Sequence, residues 1–184
     1  MNPDPSPDPT AAASQAARPA PAPAPATVSS GRWRAALGLG GWLLFTFAAT
    51  IGGLVGAPGE WYAALDKPAW TPPGWVFGPA WTLLYTMMAV AAWLVWLRGG
   101  FGARRVELTA YLVQWFLNAL WTPLFFGLQL PGWALVDIVL LWLAAALTMI
   151  LFFRARRLAG WLLVPYLLWL GFATALNAAI WQMN

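Results

Sequence analysis

The side chains able to do chemistry are few, and they sit in apolar surroundings. Gln114, Asn118, Asp137 and Asn177 lie inside long hydrophobic stretches, and the chain holds neither Cys nor His. Disulfides, thiol nucleophiles, imidazole bases and the usual zinc ligands are therefore excluded. What remains is hydrogen bonding by carboxamides and one carboxylate, beside the stacking surfaces of 15 Trp, 10 Phe and 4 Tyr. An intramembrane carboxylate is costly and reads first as functional. The plain alternative is that all four polar groups join one helix to another.

Helical spacing sorts these groups onto faces. Gln114, Asn118, Trp121 and Phe125 follow i, i+4, i+7, i+11 and share one side of a helix. Trp81, Tyr85 and Met88 share another, Trp133 stacks with Asp137, and Trp169, Ala173 and Asn177 align. An aromatic wall with a few convergent polar groups is the outline of a small-molecule pocket. Aromatic stripes also arise from packing alone, and Trp33, Trp61, Trp96, Trp161 and Trp181 read as interfacial belt residues.

The elements that must position these faces are membrane spans. Of 184 residues, 61% are hydrophobic and only 9% charged, against about 25% charged in an ordinary soluble domain. Five apolar segments, roughly 35–55, 79–97, 108–128, 133–153 and 161–181, are each long enough to cross a bilayer. They lack the period-2 alternation of barrel strands, so the expected fold is an all-α membrane protein, a bundle of five transmembrane helices. Counted from the lid side at 1.5 Å per residue, Tyr85 and Asp137 lie ~6–9 Å deep, Trp121 and Ala173 ~10–12 Å, and Asn118 and Trp169 ~15–18 Å. The faces converge in one half of the membrane. Gly52 and Gly56 add a small-xxx-small pair suited to close helix approach, within the bundle or between two copies.

Charge orients the bundle. Arg18, Arg32, Arg34, Arg98, Arg104, Arg105, Arg154, Arg156 and Arg157 fall on one side and Lys67 alone on the other, which predicts a cytoplasmic N terminus; the expected location is a bacterial cell membrane. The basic residues sit at span ends rather than on an aromatic-studded basic face, so nucleic acid is not an expected partner. Residues 1–31 alternate Pro, Ala, Ser and Asp and read as a disordered tail. Residues 57–78 are rich in Pro and Trp. Pro restricts the backbone and Trp supplies large apolar area with a polar handle. Such a loop, with Trp70 in it and bends at Gly56, Gly59, Gly74 and Gly78, reads as a lid over an apolar cavity.

The stretch WYAALDKPAWTPPGWVFGPAWTLLY at 61–85 resembles the TspO/MBR family, the tryptophan-rich sensory proteins and mitochondrial translocator proteins. The resemblance continues through QWFLNALWTPLFFG at 114–127, GWALVDIVLLW at 132–142 and PYLLWLGFATALNAAIW at 165–181, so it spans all five segments. It implies a five-helix protein, often a homodimer, with a ligand pocket closed by the first loop. The implied ligands are porphyrins and related tetrapyrroles, haem among them, benzodiazepine-type drugs and, in some members, cholesterol; no cofactor is required. By motif, the implied pocket residues are Trp81, Tyr85, Asn118, Trp121, Trp133, Asp137, Trp169 and Ala173. Gln114 and Trp70 join them as candidate ligand contacts from the residue pattern. The end ALNAAIWQMN lacks the Tyr and following basic residue of sterol-binding members, which weakens the sterol expectation.

The resulting expectation is a membrane tetrapyrrole-binding sensor or regulator. No acid–base pair or nucleophile dyad is evident. An enzymatic reading reduces to light-dependent porphyrin oxidation, with Trp81 and Trp169 as redox partners of the pigment. The remaining alternative is a transporter of porphyrin, sterol or another hydrophobic small molecule, although the inverted repeat of many transporters is not visible.

Overall fold

The computed structural model describes residues 29–51 and 59–184. The expected tail up to residue 28 and the Gly52/Gly56 pair lie outside the described residues. Among the described residues there are helices and turns but no strand. Five long helices form the bundle: α1 (Ser29–Phe47), α3 (Phe77–Trp96), α5 (Arg105–Thr122), α6 (Pro131–Ala155) and α7 (Arg157–Met183). Two short helices, α2 (Glu60–Ala64) and α4 (Gly100–Ala103), lie in the connections.

Among the described residues, four segments are long and apolar enough to cross a membrane: Arg32–Ile51, Gly74–Trp96, Pro131–Ala155 and Arg157–Met183. The remaining long helix, α5, is shorter and opens on Arg105 and Glu107, with Gln114 and Asn118 in its interior. It continues directly into a π-helical turn, Pro123–Gly127. Its 18 residues and the 5 of the turn reach ~34 Å at helical rise, enough for a hydrocarbon core of about 30 Å. Pro123 has no N–H to donate back along the helix, and the ladder widens there: Leu128 N–H reaches the Pro123 carbonyl at 2.8 Å. Pro165, by contrast, is carried inside α7 without ending it.

Each helix is apolar on more than one side. Leu44, Leu83, Leu140 and Leu168 point outward and exposed, while Leu84, Leu141 and Leu170 are buried. Water would not tolerate that outer surface over a whole bundle; lipid does.

The helices close into a ring. α1 packs on α3, α3 on α7, α7 on α6 and α6 on α5. α5 returns to α1 through Thr46, whose hydroxyl pairs with Tyr111 at 2.7 Å and whose carbonyl accepts from the Trp115 indole at 3.2 Å. Tight turns make this possible. Gly99 and Gly100, at φ of 116° and 63°, end α3 in a left-handed conformation. At the α6–α7 corner a Cβ on Gly160 would overlap the Phe153 ring, so glycine lets the two helices meet this closely.

The basic residues gather at one end. The Trp93 indole donates to the Ala35 carbonyl at 2.9 Å, which sets the start of α1 beside the end of α3. Tyr111 stacks on Phe152, which sets the start of α5 beside the end of α6. Arg32, Arg34, Arg98, Arg104, Arg105, Arg154, Arg156 and Arg157 therefore share that end, and Lys67 lies at the other.

Candidate functional site

A cavity of about 490 Å³ occupies the centre of the ring at the Lys67 end. Its roof comes from the 59–76 connection, through Tyr62, Lys67, Thr71, Pro72 and Gly74. The connection is ordered by its own backbone. Lys67 Nζ donates to the carbonyls of Tyr62, Ala63 and Leu65 at 2.6, 3.3 and 2.6 Å, closing off the end of α2. The Asn184 side chain pairs with both the N–H and the C=O of Asp66, each at 3.0 Å, and fastens the connection to the end of α7. Trp61 packs edge-on to Phe125, and Tyr62 on Phe126.

The walls are aromatic because successive turns of α3 and α7 face each other. Trp81 lies against Tyr85 at 5.2 Å and meets Trp169 edge-to-face at 6.4 Å, centroid to centroid. Phe77 packs on the other side of Trp169. The Trp169 indole N–H is buried with no partner among the described residues. On α5, Trp121 stacks on Phe125 at 5.0 Å, an approach set up by the π-helical turn.

A hydrogen-bonded chain runs along the inner side. Tyr85 O–H donates to Asn118 Oδ1 at 2.7 Å; Asn118 Nδ2 donates to the Tyr166 hydroxyl at 3.2 Å; Tyr166 O–H donates to Gln114 Oε1 at 2.9 Å. It joins α3, α5 and α7. Separately, Trp121 donates to Asn177 Oδ1 at 3.1 Å, and Asn177 Nδ2 donates to the Pro131 carbonyl at 2.9 Å, which ties α5 and α7 to the start of α6. These contacts fix the walls without an ion pair.

Of the ten residues singled out from the sequence, Trp81, Tyr85, Asn118, Trp121, Trp169 and Ala173 line the cavity. The other four lie elsewhere. Gln114 is buried behind Asn118 and Tyr166, in the network rather than in the wall. Asp137 is buried beside the lining residue Ile138, with Oδ2 unpaired. Trp133 is 66% exposed. The buried stripe of α6 runs through Ala134, Ile138, Leu141 and Ala145, and Trp133 stands roughly a quarter turn from its centre. Trp70 is 51% exposed and packs edge-on to Phe172 on the outside of α7.

Spacing missed Tyr62, Lys67 and Thr71, because a connection has no periodicity to read. It also passed over Tyr166, although that residue precedes Trp169 by one turn on the same helix. Asn177 lay on the predicted face and lines the cavity.

A family model described as the TspO/MBR family matches residues 41–182. The chain belongs to the TspO/MBR family. The Translocator protein of Homo sapiens is 46% identical over 148 residues, covering 76% of this chain and 88% of its own. The Tryptophan-rich protein TspO of Archaeoglobus fulgidus is 47% identical over 124 residues, 67% of this chain and 80% of its own. The Tryptophan-rich sensory protein of Cereibacter sphaeroides is 44% identical over 149 residues, 78% of this chain and 92% of its own. The TspO/MBR match takes in the lid connection and every cavity-lining residue named above. It agrees with the reading as an integral, multi-pass membrane protein with a small-molecule ligand.

Proposed function

We propose that this TspO/MBR protein is a membrane-embedded binder of flat tetrapyrroles, acting as a sensor or regulator, with porphyrin as its ligand. The observation that supports this best is the Trp81–Trp169 pair in a cavity of about 490 Å³ covered in part by the 59–76 connection. That volume lies in the range of small-molecule sites. Flat rings stack on indole and phenol faces, and Asn118 and Asn177 offer the few polar contacts that orient a ligand. Metal-free porphyrin fits the wall chemistry better than haem, since the lining offers no His or Cys as an axial ligand.

The same reading includes a homodimer, as the family resemblance implies, and a cytoplasmic N terminus, supported by the basic end of the bundle. It also includes light-dependent porphyrin loss with Trp81 as electron donor. The excited porphyrin would take an electron from the Trp81 indole and pass it to oxygen. The indole radical cation would then take an electron from the pigment, and superoxide would add to the resulting porphyrin radical cation. The net change is oxidation of the porphyrin by oxygen, with Trp81 restored.

Tryptophan-quenching titration with protoporphyrin IX tests the binding reading, which requires saturable quenching; a linear, non-saturating response contradicts it. Trp81→Phe tests the photochemical part. Phe keeps a stacking face but lacks the easily oxidised indole, so bleaching at equal occupancy should slow by more than dark affinity falls. Trp161→Phe, at the basic end and largely exposed, is the control. Equal bleaching rates in all three proteins would remove Trp81 from the chemistry.

A further inference from the structure

The cavity walls are mostly aromatic and aliphatic with a few neutral polar groups, and one positive charge is held at the lid end. Among the described residues that line it, Lys67 is the sole cation and there is no anion. Its ammonium is positioned by three carbonyls and sits 4.8 Å from the centre of the Tyr62 ring. Carbonyl dipoles orient the group without neutralising it. No carboxylate comes within ion-pair distance of Lys67 among the described residues; the pair that does form, Arg104 with Glu107, is at the opposite end. The nearby acids Glu60 and Asp66 are exposed and do not line the cavity. Burial pushes the Tyr62 phenol above its ordinary range, so the ring beside the ammonium stays neutral. The buried carboxyl of Asp137, next in sequence to the lining residue Ile138 and with an unpaired oxygen, does not line the cavity. The formal charge of the described lining is therefore positive and confined to the lid end.

We propose that Lys67 makes this a site for acidic amphiphiles, selecting ligands that carry a carboxylate on a flat apolar body and binding them carboxylate outward. The inference rests on the proposed ligand cavity but not on the ligand's being a porphyrin. A charged ligand end at the lid keeps water on its far side, and a carboxylate that takes over the N–H now spent on the long, 3.3 Å contact to the Ala63 carbonyl gains a charge-assisted bond that adds selectivity more than bulk affinity. Neutral ligands of the same shape keep the stacking on Trp81 and Trp169 and lose only this contact.

Two matched pairs test it on the full chain in zwitterionic nanodiscs. They are protoporphyrin IX against its dimethyl ester, and pyrenebutyrate against pyrenebutanol. Wild type should bind each acid about fivefold or more tighter than its neutral partner, the ratio expected of one charge-assisted contact at a partly buried site. Lys67→Met should bring both ratios to about one, and Lys67→Arg should preserve them. A purely structural role in closing α2 would weaken acid and neutral ligands together and leave the ratios unchanged, and that outcome overturns the proposal. So does a wild type with no preference in either pair. If the pyrene pair shows the Lys67-dependent ratio while neither porphyrin binds, the selectivity stands and the tetrapyrrole reading falls. Should Lys67→Met not fold, salt decides. A wild-type preference that fades between about 0.05 and about 0.5 M salt supports the ammonium, and one indifferent to salt overturns it.

Discussion

Tyr166 joins two carboxamides through one hydroxyl. It accepts from Asn118 and donates to Gln114, and it is almost fully buried. Tyr166→Phe keeps the ring but strands Asn118 Nδ2 and Gln114 Oε1 away from water. An unsatisfied buried polar group costs more than its bond contributes, yet interhelical bonds in membranes are modest. The expected loss is about 1–2 kcal/mol, measured by unfolding in mixed detergent. A variant as stable as wild type would show that the chain of hydrogen bonds is incidental to the bundle. Gln114 Nε2 is itself unpaired, so the network is already incomplete at that end. The polar positions Gln114, Asn118 and Asn177 were legible as residues that must find partners in lipid. Which partner each takes was not, because helix rotation and the side chain across the interface decide it. Asn118 faces the cavity and Gln114, one turn earlier on the same stripe, does not.

Among the elements, four of the five long helices stand out by apolar length, and α5, with Gln114 and Asn118 in its interior, is the exception. The lid was readable as stiff and aromatic but not in its fastening. Its attachment to the bundle is the Asn184 carboxamide, which holds the Asp66 N–H and C=O as a neighbouring strand would, and also reaches the Ile180 carbonyl. A side chain so far away in sequence leaves no local pattern to detect. Asn184→Ala removes both contacts to Asp66 while the helix beneath it keeps its own bonds. Each exposed contact is worth about 0.5–1.5 kcal/mol. Protoporphyrin dissociation should therefore speed up about fivefold or more, with little change in thermal stability. Stopped-flow release against a porphyrin trap reads this directly. An unchanged off-rate would mean that the lid is held by Trp61 and Tyr62 on Phe125 and Phe126, and that the Asn184 contact is dispensable. The π-helical turn belongs to the same scale. Pro123 announced a disturbance in α5, but only the structure shows that it widens the helix and turns Phe125 and Phe126 toward the lid.

In the whole molecule, a closed ring of helices leaves a cavity at one end, filled at the other by ordinary packing such as Tyr111 on Phe152. Cavity and roof lie together, away from the basic end, and among the described residues the roof bears a single cation, Lys67, over aromatic walls. The central claim is that this space is where the ligand sits. Ala173 tests it most directly, because it lines the cavity one turn from Trp169 and its small volume leaves the room a flat ring needs. Protoporphyrin IX affinity in the dark should be measured for wild type, Ala173→Leu and the outward-facing control Leu140→Phe, each checked for thermal stability. The account predicts saturable binding by wild type and the control. Ala173→Leu should be weaker by about 1–3 kcal/mol, roughly fivefold to a hundredfold, with its fold intact. Equal affinity in a well-folded Ala173→Leu protein would place the ligand outside this cavity and contradict the account.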